Sequence, residues 1–320
     1  MVNRYLACIA ATAVVLTSFG SPLTSVVAQT PPATPTKPTK PTKPTTPTAP
    51  TTPTTPTRKA ETAEQLLDRG NAYVRLGNLE GAIAAFRAAV KKKPNLTAAH
   101  YNLGLALAQS GQVKEAVYSF QRATRLDPKF ALAYSNLGAA MLQSGKTDEA
   151  ITYLKRAVAL DRNLAVGYYN LGLALRQKGD VNGAIAQLRQ AKKLYPNSPE
   201  TNYNLGILLQ QKGDIAGAIV QYREALKVNP KYAEAHYNLG TALLIQGKPE
   251  EAIAELREAL KINKEYANAM YALGAAQARL GKKQEAIESF VQAQALFNKQ
   301  KNPQWAKNCE QQIQKLRAAK

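Results

Sequence analysis

With 42 Lys+Arg against 22 Asp+Glu, the 320-residue chain carries a formal net charge of +20. Such an excess bears on solubility and on attraction for anions, not on fold. Two cysteines, Cys8 and Cys309, exclude a disulfide-built scaffold, so stability has to come from packing.

Residues 1–28 read as a secretory signal peptide. Arg4 supplies the positive start, Leu6 to Phe19 is apolar and uncharged, and Val26-Val27-Ala28 offers a cleavage site before Gln29. The apolar run is shorter than the roughly 20 residues of a spanning helix, which favours cleavage after Ala28 over the alternative, an uncleaved membrane anchor. An exported protein of the periplasm or cell envelope is expected, with Cys309 as its one remaining thiol. Residues 29–60 form a linker dominated by Thr and Pro, with Lys37, Lys40 and Lys43 spaced three apart. That composition cannot build a core and predicts a disordered, extended spacer.

From Ala63 onward the chain is periodic. Tyr-Asn-Leu-Gly stands at 101–104, 169–172, 203–206 and 237–240, and glycines recur at 70, 104, 138, 172, 206, 240 and 274, always 34 apart. A fixed period of this size marks a stacked repeat array. The units are 63–96, 97–130, 131–164, 165–198, 199–232, 233–266 and 267–300, and each splits into two helices. Counting positions from the start of each unit, glycine fills 8 and 15, alanine fills 20 and 27, and a large apolar residue fills 24. Gly77 and its equivalents at position 15 can take the left-handed conformation that ends the first helix. Glycine at 8 and alanine at 20 let the two helices approach closely. Pro94, Pro128, Pro196 and Pro230, at position 32, stop the second helix. Where Arg162, Lys264 and Asn298 replace that proline, looser turns are predicted. The tail 301–320 reads as a capping helix: Asn302 as N-cap, Pro303 in the first turn, and Trp305, Cys309, Ile313 and Leu316 on one apolar face.

This pattern resembles the tetratricopeptide repeat family over residues 63–300. The resemblance implies an all-α, right-handed alpha-alpha superhelix and a non-catalytic scaffold that binds protein or peptide.

No enzyme motif, cofactor site or metal site emerges. His100 and His236 both stand at position 4, four repeats apart, and cannot share one metal. Candidate binding residues face the hollow of the superhelix. Position 6 gives Asn102, Asn136, Asn170, Asn204 and Asn238. Position 13 gives Gln109, Gln143, Gln177 and Gln211, and position 5 gives Tyr101, Tyr169, Tyr203, Tyr237 and Tyr271. Amides donate and accept at once, so such rows can pair with an extended peptide backbone, and tyrosine adds flat apolar area. The Asn row is similar to the asparagine ladder of the O-linked N-acetylglucosamine transferases, whose repeats hold peptide backbones; the alternative is that it supports the fold or reflects repeat duplication, and the Gln and Tyr rows beside it favour groove binding. The lysine that co-chaperone repeats use at position 5 to clamp a carboxylate has no counterpart here. The alternative reading uses the charge: a basic surface binding anionic envelope polymers or a membrane surface. With an export signal, nucleic acid is not an expected partner.

Overall fold

The computed structural model describes residues 61–319; the signal and linker segments assigned to 1–28 and 29–60 lie outside them. Within the described residues the chain is fifteen α-helices and no strand. They are α1 (Ala63–Arg75), α2 (Leu79–Lys92), α3 (Thr97–Gln109), α4 (Val113–Leu126), α5 (Ala131–Gln143), α6 (Thr147–Leu160), α7 (Ala165–Lys178) and α8 (Val181–Leu194). Then follow α9 (Pro199–Gln211), α10 (Ile215–Val228), α11 (Ala233–Ile245), α12 (Pro249–Ile262), α13 (Ala267–Arg279), α14 (Lys283–Lys299) and α15 (Pro303–Ala318). α1 to α14 form antiparallel pairs stacked side by side as an all-helical solenoid. Each second helix also packs on the first helix of the next pair. Most first helices, all but the α7–α9 pair, additionally touch the first helix of the neighbouring repeat, and second helices show no comparable contact with one another. The first helices therefore line the inner, tighter side of the curve.

The joint inside each pair is built by position 8. A Cβ added at Gly70 would lie 2.3 Å from Phe86 Cε1, at Gly104 2.6 Å from Phe120 Cε1, and at Gly206 2.6 Å from Tyr222 Cε1. The position-24 side chain thus fills the space that a side chain at 8 would occupy. Its members, from Phe86 through Tyr222 to Phe290, are at most 2% exposed. The alanines at position 20 are fully buried throughout. At position 15, φ is positive in all seven glycines, from 71° at Gly77 to 89° at Gly213, and the first helix ends there.

The second helices end differently from the expectation. α6 and α12 lack the following proline yet stop at position 30, as α2, α4, α8 and α10 do. Asp161 Oδ1 accepts from the Asn163 amide at 2.8 Å, and Asn263 Oδ1 from the Glu265 amide at 3.1 Å. These side-chain turns offer the backbone an alternative to further helix. Lys93-Pro94 and Tyr195-Pro196 have only the proline, while Asp127-Pro128 and Asn229-Pro230 carry both signals. Either one suffices. Repeat seven has Phe297-Asn298, neither signal in place, and α14 runs on to Lys299. Asp161→Ala should accordingly cost about 1 kcal/mol and fray the α6–α7 turn, whereas Asp127→Ala, backed by Pro128, should cost only a few tenths. Urea denaturation of the two variants, with hydrogen exchange at residues 158–166 and 124–132, checks this.

At the C-terminal end, Asn302 Oδ1 accepts from the Trp305 amide at 3.3 Å, starting α15. Cys309 and Ile313 are buried against Phe290 and Phe297, and Trp305 stacks on Phe297 with ring centroids 5.6 Å apart. Burial pushes the Cys309 thiol up to about 12, so it stays protonated and serves packing.

Candidate functional site

The rows assigned to the hollow lie on the first helices, but they do not all present free polar groups. Position 6 of one repeat is tied to position 5 of the repeat before. Asn136 Nδ2 donates to Tyr101 Oη at 2.9 Å, Asn204 to Tyr169 Oη at 3.3 Å, and Asn238 to Tyr203 Oη at 3.0 Å. Where Ser135 replaces tyrosine, Asn170 Nδ2 donates to Ser135 Oγ at 3.3 Å. Where Leu67 offers no acceptor, Asn102 turns to Asn71 Oδ1 at 2.8 Å. Asn170, Asn204 and Asn238 are buried, as are Tyr203, Tyr237 and Tyr271; Asn102, Asn136, Tyr101 and Tyr169 are half-buried. One amide proton of each asparagine is therefore spent on holding repeats together.

The tyrosines are also braced by aromatics at position 34. Tyr101 meets Phe130 and Tyr203 meets Tyr232, both with centroids 4.7 Å apart, and Tyr237 meets Tyr266 at 5.0 Å. After the last repeat, Trp305 takes that place against Tyr271 at 5.2 Å. Burial pushes Tyr101 up to about 12, against the bond from Asn136. It does the same for Tyr169, with Glu200 adding to the rise. Burial raises Tyr232 and Tyr266 as well, and neighbouring tyrosines and Glu234 raise them further. In repeat four, where position 34 is Ser198, Arg176 enters among Tyr169, Tyr203 and Tyr232. Its Nη1 donates to Asn204 Oδ1 at 2.5 Å, and desolvation lowers its pKa.

Gln109, Gln143, Gln177 and Gln211 are exposed, one per repeat near the end of the first helix. On the same face stand Leu105, which is 39% exposed, and the half-buried Leu142 and Leu173. The accessible surface of repeats two to four is thus an amide row beside aliphatic side chains, over a floor of locked Asn and Tyr. The sequence reading missed the position-34 aromatics, Arg176 and these leucines. The co-occurrence of Tyr at 5 with an aromatic 29 residues on was the available signal.

The position-4 histidines point away from this floor. His100 Nε2 lies 2.9 Å from the Pro94 carbonyl, and His236 Nε2 lies 3.0 Å from that of Pro230. At the same position Asn202 Nδ2 donates to the Pro196 carbonyl at 3.3 Å. His236 Nδ1 also faces Glu255 Oε2 at 2.7 Å, so both ring nitrogens meet acceptors. Burial disfavours the charged ring, yet Glu255 and the Pro230 carbonyl outweigh it and raise its pKa above the ordinary value. A raised folded pKa stabilises the fold fully below the unfolded value, about 6.5, and that contribution is lost as pH rises through the folded pKa. The stability gap between wild type and His236→Asn should therefore be larger at pH 5.5 than at pH 8.5, as read by urea denaturation.

A cleft of about 360 Å³ lies between α2, α3 and α4, lined by residues such as Arg87, His100, Leu107 and Tyr118, outside the concave face. Among the described residues no cluster of His, Cys, Asp or Glu could hold a metal ion, and no helix is long and apolar enough to cross a membrane.

One tetratricopeptide repeat family model matches residues 67–129, 203–267 and 246–301, half of the chain, and further models of such repeats match 107–171 and 172–213. The chain belongs to the tetratricopeptide repeat family. Among solved structures, the Cut9–Hcn1 hetero-tetramer of the APC/C matches with TM-score 0.60 and 20% identity, over 80% of this chain and 52% of that one. This chain thus spans about half the length of that relative. PilF of Pseudomonas aeruginosa matches with TM-score 0.59 and 19% identity, over 65% of this chain and 94% of that one. A tetratricopeptide repeat protein from Parabacteroides merdae matches with TM-score 0.57 and 19% identity, over 78% and 98%. These likenesses concern the fold. No match is found among curated proteins. The fold is that of scaffolds which in general bind proteins and are not catalysts.

Proposed function

We propose that this protein is a non-catalytic scaffold of the cell envelope that holds an extended protein segment in the concave groove of its superhelix. The carrying observation is the exposed row Gln109, Gln143, Gln177 and Gln211 beside Leu105, Leu142 and Leu173. The glutamines offer donors and acceptors to a peptide backbone, and the leucines give apolar area for its side chains. Asn102, Asn136, Tyr101 and Tyr169, half-buried, border the same strip. Asn170, Asn204, Asn238, Tyr203, Tyr237 and Tyr271 keep its shape and spacing. A stiff floor reduces the entropy lost on binding. The envelope location rests on the signal and linker composition of residues 1–60.

The test is capture of envelope proteins by the full chain at low and high salt, beside Gln109→Ala/Gln143→Ala/Gln177→Ala. These exposed positions leave the fold intact, whereas Asn→Ala would remove bonds between repeats. A partner retained at high salt and lost in the variant supports groove binding. Retention that disappears with salt and ignores the variant refutes it.

A further inference from the structure

The outer helices carry a ladder of ion pairs between repeats. Position 25 of one second helix reaches position 19 of the next. Arg87 Nη2 meets Glu115 Oε2 at 2.5 Å, Arg223 Nη2 meets Glu251 Oε2 at 2.9 Å, and Arg257 Nη2 meets Glu285 Oε2 at 3.9 Å. In the middle of the array the cations persist and the carboxylates vanish. Lys155 and Arg189 stand at position 25, but position 19 of the following repeat is Gly183 and Gly217.

The cause is local. α8 and α10 are capped by Asp180 and Asp214, whose side chains accept from the amides of Gly183 and Gly217, each at 2.8 Å. A Cβ at Gly183 would lie 2.2 Å from Asp180 Oδ2, and one at Gly217 2.4 Å from Asp214 Oδ2. Helices with an acid at position 19, namely α4, α6, α12 and α14, begin with Gln112, Lys146, Lys248 and Lys282 and have no side-chain cap. In α8 and α10 the capping aspartate and glycine at position 19 go together, so no carboxylate from the next repeat reaches Lys155 or Arg189.

Arg156 and Lys193 extend the unmatched row. All four cations are exposed, and none has an ion-pair partner among the described residues. In repeats five and six, by contrast, Glu224 and Glu258 hold Lys227 and Lys261 on the same stretch of helix.

We propose that this strip, Lys155, Arg156, Arg189 and Lys193, is a second docking face that takes an acidic polypeptide segment. Elsewhere in this array the partner of a position-25 cation is a glutamate side chain, so the group that completes the ladder at Lys155 and Arg189 is a carboxylate on a polypeptide. Two consecutive vacancies at equivalent places suit an extended acidic chain crossing repeats three to five. This face lies on the second helices and is independent of the groove.

The experiment measures binding of poly-L-glutamate to the full chain at low salt. The main variant is Asp180→Gln/Gly183→Glu/Asp214→Gln/Gly217→Glu, which copies the Gln112–Glu115 corner into repeats four and five. It keeps every Lys and Arg and leaves net charge unchanged. Affinity should fall at least about fivefold, because the strip is now occupied internally. Lys155→Gln/Arg156→Gln/Arg189→Gln/Lys193→Gln should lose about tenfold. Arg223→Gln/Lys227→Gln/Arg257→Gln/Lys261→Gln, with the same charge change on α10 and α12, should lose less than about threefold. Equal losses in the two fourfold cation variants, or no loss in the corner variant, would overturn the proposal. Tighter, strip-dependent binding of polygalacturonate or of phosphatidylglycerol vesicles would also overturn it, by assigning the face to a polysaccharide or a membrane. Circular dichroism confirms that each variant is folded.

Discussion

Gly104→Ala should destabilise the array by about 1–3 kcal/mol, and Gly274→Ala should leave it within about 1 kcal/mol of wild type. The substitution is identical in both cases. Alanine outranks glycine inside a helix by up to about 1 kcal/mol, so propensity alone predicts a gain at each site. Space decides otherwise. At Gly104 the new Cβ would stand 2.6 Å from Phe120 Cε1, and Phe120 is 1% exposed with no room to retreat. At Gly274 the nearest atoms, Phe290 Cδ1 and Cε1, are 3.1 Å away, and a shift of a few tenths of an ångström accommodates the methyl. Urea denaturation of the two variants reads the difference directly. A destabilised Gly274→Ala matching Gly104→Ala would show that position 8 is glycine for a reason other than contact with position 24.

Removing α15 by ending the chain at Asn302 should cost several kcal/mol, concentrated at one end. The cut uncovers Phe290 and Phe297, each 2% exposed in the complete chain, and takes away Trp305, Cys309 and Ile313. Truncations of single buried side chains of this kind typically cost about 2–5 kcal/mol. In a stacked array each unit leans only on its neighbours, so the damage should stay local. Hydrogen exchange should quicken in α13 and α14 while α3 to α8 keep wild-type protection. A uniform loss across the chain would mean that the array unfolds as one cooperative body.

Much of this architecture was legible in the residues. The glycines at 8 and 15, the alanines at 20 and 27 and the large residue at 24 each answer to a steric demand repeated at every unit, so period and chemistry agree. Two features were not legible. The asparagine row looked like a ligand ladder because helix geometry places position 6 toward the hollow. Only coordinates reveal that its amide reaches the tyrosine of the preceding repeat, a contact 35 residues away in sequence. The missing prolines at Arg162 and Lys264 suggested loose turns, since the compensating Asp161 and Asn263 act through a side-chain bond that composition does not display. The glutamines Gln109, Gln143, Gln177 and Gln211 are exposed, so unlike the asparagines they are not drawn into the bonds described between repeats.

The extra length of α14 sets a rule for how such an array can grow. Its second-helix counterparts have 14 residues and α14 has 17. Three added residues turn the exit by about 300° and carry it roughly 4.5 Å further along the axis. The chain then reverses through Lys301, at φ 54°, and α15 leaves on a path set by that phase. A unit copied in upstream of Lys283 inherits a 14-residue second helix and keeps the stacking direction. A unit appended after Lys299 would start out of phase with the stack. Lineages or designs that lengthen the array should do so by internal duplication, with the terminal pair and its cap carried forward unchanged.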